Sequence, residues 1–150
     1  NGMGRQLVLL LLRRGARVAA VDVRPEGLTE TATLAAAGDR LSTHVVDITD
    51  RDAVDALPEQ VIAAHGAVDG ILNNAGIIVT APFDELSDED MERHIRVNTL
   101  GMMHGTRAAA RIMKTQPDGG EIGLGMSPCS ATCSVFTVGS GFGLAASSAP

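Results

Sequence analysis

Val68-Asp69-Gly70-Ile71-Leu72-Asn73-Asn74-Ala75-Gly76 decides the fold of this chain. The run from Val68 to Leu72 reads as a short buried strand. Asn73-Asn74 then offers a polar pair, and Ala75-Gly76 lets the backbone come close to a ligand. In an open α/β sheet, ligands bind at the carboxyl ends of the strands, which is where these four residues fall. Asn-Asn-Ala-Gly alone is also compatible with an ordinary turn, so its surroundings have to decide.

Working outward, strands and helices alternate. Gly2-Met3-Gly4 opens a helix that runs through Gln6 to about Arg14, with Gly15 closing it. Arg17 to Val23 reads as a strand, and Pro25 starts a second helix that Gly38 ends. Leu41 to Asp47 is the next strand. Thr49 and Asp52 look like a capping pair for a third helix. That helix carries Val54, Leu57, Val61 and Ile62 on one face. Pro58 lies inside it and predicts a kink or a restart. Ser87 caps a long acidic-headed helix reaching about Lys114. A short strand at Glu121-Ile122 follows. This alternation predicts an α/β fold with a parallel, doubly wound sheet.

Composition narrows the function. The formal net charge is −6 and aromatic residues make up 2% of the 150 residues. Neither a basic surface nor a set of base-stacking rings is available, so nucleic acid is not an expected partner. The apolar run Leu7 to Leu12 is too short to cross a bilayer. It leads into Arg13-Arg14 rather than a cleavage site, so a signal peptide is not expected either. Cys129 and Cys133 lack the companions a zinc site needs and read as free thiols in a cytoplasmic chain.

Glycines before the first helix, an acid at the next strand end, Asn-Asn-Ala-Gly and Val97-Asn98 together resemble the short-chain dehydrogenase/reductase family. The resemblance spans roughly Asn1 to Ile122. It implies a Rossmann-type fold and an NAD(P)-dependent oxidoreductase acting on an alcohol or ketone, a parent enzyme that can form homo-oligomers. Gly2 and Gly4 match the last two glycines of the family's phosphate loop, with Met3 between them and Asn1 before. The rest of that loop and the first strand are missing. Glycines there admit a pyrophosphate to the backbone at a helix N-terminus. Asp22 matches the acid that accepts from the adenosine ribose, and its charge repels a 2′-phosphate, which favours NAD over NADP. Arg24 pairs with Asp22 or welcomes that phosphate. Asp47-Ile48 resembles the adenine-contacting pair. Asn74, Ala75 and Gly76 would line the ribose, while Asn73 stabilises the sheet.

The family's catalysis uses Asn, Ser, Tyr and Lys. Asn98 matches the asparagine, and Ser127 falls about where the serine would be, though Met126-Ser127-Pro128 is not the expected context. The tyrosine and its helical lysine are absent: the chain holds no tyrosine, and Lys114 is its single lysine. His44, His65, His94 and His104 match no catalytic position and are read as structural.

From Gly123 to Pro150 no residue is charged and no period is sustained. We therefore divide the chain into a partial dinucleotide-binding domain, 1–122, and an unpatterned Gly/Ser/Ala/Cys-rich tail, 123–150. A shifted reading frame would produce that switch. The chain as it stands is expected to be inactive, a fragment of an enzyme. The alternatives are a non-catalytic dinucleotide-binding module or a damaged, non-functional product. Two inner strands should lack a partner where the first strand would lie.

Overall fold

A computed structural model describes residues 2–124 and 134–138. Helix α1 (Gly2–Arg13) leads to strand β1 (Arg17–Asp22), helix α2 (Pro25–Ala35) and strand β2 (Leu41–Val45). Helix α3 (Arg51–His65) leads to strand β3 (Gly70–Asn73). One long helical stretch follows, in three parts: α4 (Asp88–His94), a π-helical segment (Ile95–Gly101) and α5 (Met102–Met113). Strands β4 (Glu121–Leu124) and β5 (Ser134–Val138) complete the sheet, in the order β2-β1-β5-β3-β4.

The two faces of β1 explain the layering. Val18 and Ala20 face a cluster with Val8, Leu11 and Leu12 of α1 and Leu28 of α2. Ala19 and Val21 face the other way, onto Val54, Leu57 and Val61 of α3 and Ala108, Ala109 and Met113 of α5. A strand with every residue from Val18 to Asp22 buried is sandwiched between helix layers, as a doubly wound sheet requires. Ion pairs fasten the layers. Arg5 of α1 holds Glu30 of α2 at 2.7 Å, and Arg107 and Arg111 of α5 both reach Asp55 of α3 at 3.2 Å.

Pairing is parallel between β1 and β2 and between β3 and β4, as the alternation predicts. The expected gap between the inner strands is bridged. Strand β5 runs antiparallel between them, Phe136 standing opposite Ala19 on one side and Ile71 on the other. The expectation of unpartnered inner edges is thus corrected, by a strand from within the segment 123–150. Open edges in mid-sheet leave buried N–H and C=O groups unpaired, a strong drive to recruit a strand. Ser134-Val135-Phe136-Thr137-Val138 is the part of that segment richest in β-branched and aromatic residues.

Three local expectations also change. Asp50, not Thr49, caps α3, accepting from Asp52 N and Ala53 N. Thr49 is engaged elsewhere, donating its N–H and hydroxyl to Asp47 Oδ1. Pro58 sits buried within an α3 that neither stops nor restarts. Helix α2 ends before Gly38, at Ala36, which takes a left-handed φ of 44°. The cap on Ser87 forms as expected, with Ser87 Oγ accepting from Asp90 N at 3.1 Å. Among the described residues, no helix is long and apolar enough to cross a membrane.

Candidate functional site

Three strand ends meet helix α4 around a cavity of about 360 Å³. Strand β1 contributes Val21, Asp22 and the next residue, Val23. The segment after β2 contributes Val46, Asp47, Ile48 and Thr49, and the segment after β3 contributes Ala75 and Ile77. The far wall is Glu89, Glu92, Arg93, Arg96 and Val97.

Each acid at a strand end is set by its own turn. Asp22 is buried, and its Oδ1 accepts from Arg24 N at 3.0 Å. Arg24 Nε lies 3.9 Å from the same oxygen, so the guanidinium leans toward Asp22. Asp47 Oδ1 accepts from both Thr49 N and Thr49 Oγ1 at 2.8 Å. These short side-chain loops are the Asx-turn chemistry that holds aspartates at the ends of strands. Ile48 is seated from the opposite side. A Cβ on Gly101 would fall 2.5 Å from Ile48 Cδ1, so only glycine leaves that side chain its place. His104 Nδ1 donates to Ile48 O at 3.2 Å.

The asparagines behave differently from one another. Asn73 donates its Nδ2 to Thr106 Oγ1 at 3.1 Å and ties β3 to α5. Asn74 is also buried, but its Nδ2 has no hydrogen-bond partner among the described residues. A buried donor left without an acceptor is costly and calls for one beyond the described residues. Asn98 accepts from Ile77 N at 2.8 Å and donates to Ile77 O at 2.9 Å. It lies in the π-helical segment, a helix irregularity that recurs at functional positions.

Of the residues singled out in the sequence, the cavity brings together Asp22, Asp47, Ile48 and Ala75. Arg24, Asn74 and Gly76 adjoin cavity residues in the chain without lining it. Gly2, Met3 and Gly4 form the first turn of α1, and Gly2 takes a φ of 57°. Asn98 reaches the cavity wall through Ile77. Ser127 lies outside the described residues, as does Asn1. The sequence reading missed Glu89, Glu92, Arg93 and Arg96 as site residues, and quoted Val97 only beside Asn98. Their spacing of 3, 4, 7 and 8 residues from Glu89 is a helical stripe and was the available signal.

The family model described as short chain dehydrogenase matches residues 1–125. The chain belongs to the short-chain dehydrogenase family. A relative from Eggerthella lenta, 3beta-hydroxysteroid dehydrogenase 2, is 35% identical over 149 residues, covering 92% of this chain and 57% of the relative. A crystal structure of a short chain dehydrogenase from Mycobacterium smegmatis shares 32% identity with a TM-score of 0.77, covering 83% of this chain and 52% of that one. A structure of ElxO with NADP bound has a TM-score of 0.73 over 82% of this chain and 50% of its own, a likeness of fold at 24% identity. The chain thus spans about half the length of these relatives. Members of this family bind a nicotinamide dinucleotide and act on small molecules.

Proposed function

We propose that the cavity at the strand ends is the adenosine end of a nicotinamide dinucleotide site, in an oxidoreductase of alcohols and ketones. One observation carries this reading. Asp22, Asp47-Ile48 and Ala75, far apart in sequence, converge on a single cavity at the carboxyl ends of successive strands. The residues present fit such a ligand, since buried Asn74 Nδ2 is a donor without an acceptor among the described residues. Asp22 would accept from a ribose hydroxyl, Asp47 from an amino group, and Ile48 N–H would donate to a ring nitrogen. Asn74, Ala75 and Gly76 would border the ribose. Gly2, Met3 and Gly4, at the N-terminus of α1, would serve a pyrophosphate. When bound, the nicotinamide supplies or accepts the hydride.

Asp22 favours NAD over NADP, because a buried carboxylate beside a 2′-phosphate sets like charges together. Arg24, at 3.9 Å from Asp22, would have to give up that pairing to receive the phosphate. A second reading, a dinucleotide-binding module without catalysis, is favoured by the composition. With no tyrosine in the chain and its single lysine at the end of α5, the family's proton-transfer pair is missing. Cytoplasmic location and assembly into homo-oligomers remain part of the proposal for the parent enzyme.

Calorimetric titration of the 150-residue chain with NAD and with NADP tests the reading. NAD should bind more tightly. Asp22→Asn keeps the acceptor for Arg24 N and removes the charge, so it should narrow the preference by about tenfold, roughly 1.4 kcal/mol. Tighter NADP binding in the unaltered chain would reverse the cofactor assignment. Binding of neither would sink the nucleotide reading.

A further inference from the structure

Two side chains one helical turn apart grip alternate residues of one segment. Asn98 holds both backbone groups of Ile77, at 2.8 and 2.9 Å. His94, four residues earlier, accepts from Val79 N at its Nε2, at 3.0 Å. The spacings match. Four helical residues rise about 6 Å, and two extended residues span roughly 6.6 Å. Ile77 and Val79 lie outside regular secondary structure, between β3 and the short turn Phe83–Glu85. Their backbone groups are therefore satisfied by side chains instead of a ladder.

The partners of His94 dictate one protonation state. Its Nδ1 contacts Asp90 O at 2.9 Å. A carbonyl only accepts, so Nδ1 carries the hydrogen. Val79 N–H only donates, so Nε2 must offer a lone pair. The imidazole is therefore neutral in this arrangement. A second proton would set Nε2–H against the Val79 N–H and abolish the contact. Segment 76–82 brings no charged residue to His94. On its own helical stretch the charged groups include Asp90, Arg93 and Arg96. Asp90 has its carboxylate engaged by Ser87 Oγ at 2.7 Å, Arg93 is adjacent, and Arg96 is paired with Glu92 at 3.2 Å.

We propose that His94 is a positioning residue for the loop 76–80, forming with Asn98 a two-point clamp that holds the cavity wall only while its imidazole is neutral. Ile77 lines the cavity on the loop side, and Arg93 and Val97 line it on the helix side, each next in sequence to a clamp residue. Releasing Val79 leaves Ile77 as the remaining point of the clamp. The consequence for ligand rests on the nucleotide reading given above. Affinity for NAD should fall as His94 takes up a proton, because Nε2 then no longer offers a lone pair to Val79 N–H.

The test is amide hydrogen exchange by NMR on the nucleotide-free 150-residue chain, with NAD titrations at the same pH values. At about pH 8 the Val79 amide should be protected, and at about pH 5 its protection factor should drop at least tenfold. Ile77, held by Asn98, should keep its protection at both. His94→Gln places an uncharged acceptor at similar reach. It should keep Val79 protected at both pH values and remove the pH dependence of NAD affinity. His94→Ala should leave Val79 unprotected throughout, with Ile77 protection showing that the fold persists. An unprotected Val79 at pH 8, or the same pH profile in the parent and His94→Gln, would overturn the clamp. Protection as described without NAD binding at any pH would uphold the clamp and reject the nucleotide reading.

Discussion

Gly105 and Asn73 touch where helix α5 crosses strand β3: a Cβ built on Gly105 would stand 2.6 Å from Asn73 Oδ1. The absence of a side chain lets the helix descend onto the strand end that carries the asparagine pair. Asn73 uses the closeness to donate to Thr106 Oγ1 at 3.1 Å.

Gly105→Ala should therefore destabilise the chain despite its better helix propensity. The intrusion costs about 1–3 kcal/mol, and the propensity gain offsets roughly 1 kcal/mol of that. Urea unfolding followed by circular dichroism reads the difference. A midpoint equal to or above that of the unaltered chain would show that the strand and helix are not in contact there.

Strand β5 gives the second prediction. Phe136 stands opposite both Ala19 and Ile71, so its backbone lies in the middle of the sheet. Phe136→Pro removes an N–H and fixes φ, and should cost on the order of 3 kcal/mol or more. An unchanged unfolding midpoint would mean that Ser134–Val138 does not bridge β1 and β3.

A polar chain beside edge strand β2 gives the third. Arg17 Nε donates to His65 Nδ1 at 3.4 Å, which leaves the hydrogen of His65 on Nε2. Nε2–H then donates to Ser42 Oγ at 2.9 Å, and Ser42 donates in turn to His44 Nε2 at 2.9 Å. His44 Nδ1 completes the chain on Gln60 Oε1 at 3.2 Å. Burial, and then the Arg17 charge, hold His65 below the ordinary histidine value. The sign follows from linkage. Below about pH 6.5 the unfolded chain binds a proton here that the folded chain resists. Stability should be complete above that pH and fall as pH drops through the lowered value. Urea midpoints between about pH 7.5 and pH 5.5 measure the loss, and His65→Gln should flatten it. An equal slope in both proteins would place the acid sensitivity elsewhere.

Catalysis gives the fourth. The 150-residue chain should show no turnover of secondary alcohols or carbonyls with NAD or NADH. Proton transfer needs a group with a suitably tuned pKa, and no tyrosine is present to fill the family's role. Asn98 is occupied with both backbone groups of Ile77 and is no acid at neutral pH. Nicotinamide absorbance over a broad substrate panel is the readout. Turnover lost in Asn98→Ala but kept in Asp22→Asn would point to a different proton donor.

Much of this was legible in the sequence. Apolar runs, helix caps and glycines act locally, so β1, β2, β3, the capped start of α4 and the two cores follow from residue order. Asp22, Asp47 and Asn74 were picked out because they match family motifs at strand ends; the turns that Asp22 and Asp47 close are structural uses of the same residues. The sequence also determined that these 150 residues hold no tyrosine, since a residue type that is absent cannot be supplied by folding. Tertiary structure alone decided three things. It placed β5 between β1 and β3, because backbone pairing depends on which edges lie open and not on side-chain period. It set the Glu89-to-Val97 stripe opposite the strand ends, because a charged helical face reads as solvent-exposed until something packs against it. It also joined His94 and Asn98 to Val79 and Ile77, because a side chain's partner more than ten residues away is fixed by how elements cross, and no local rule records that crossing.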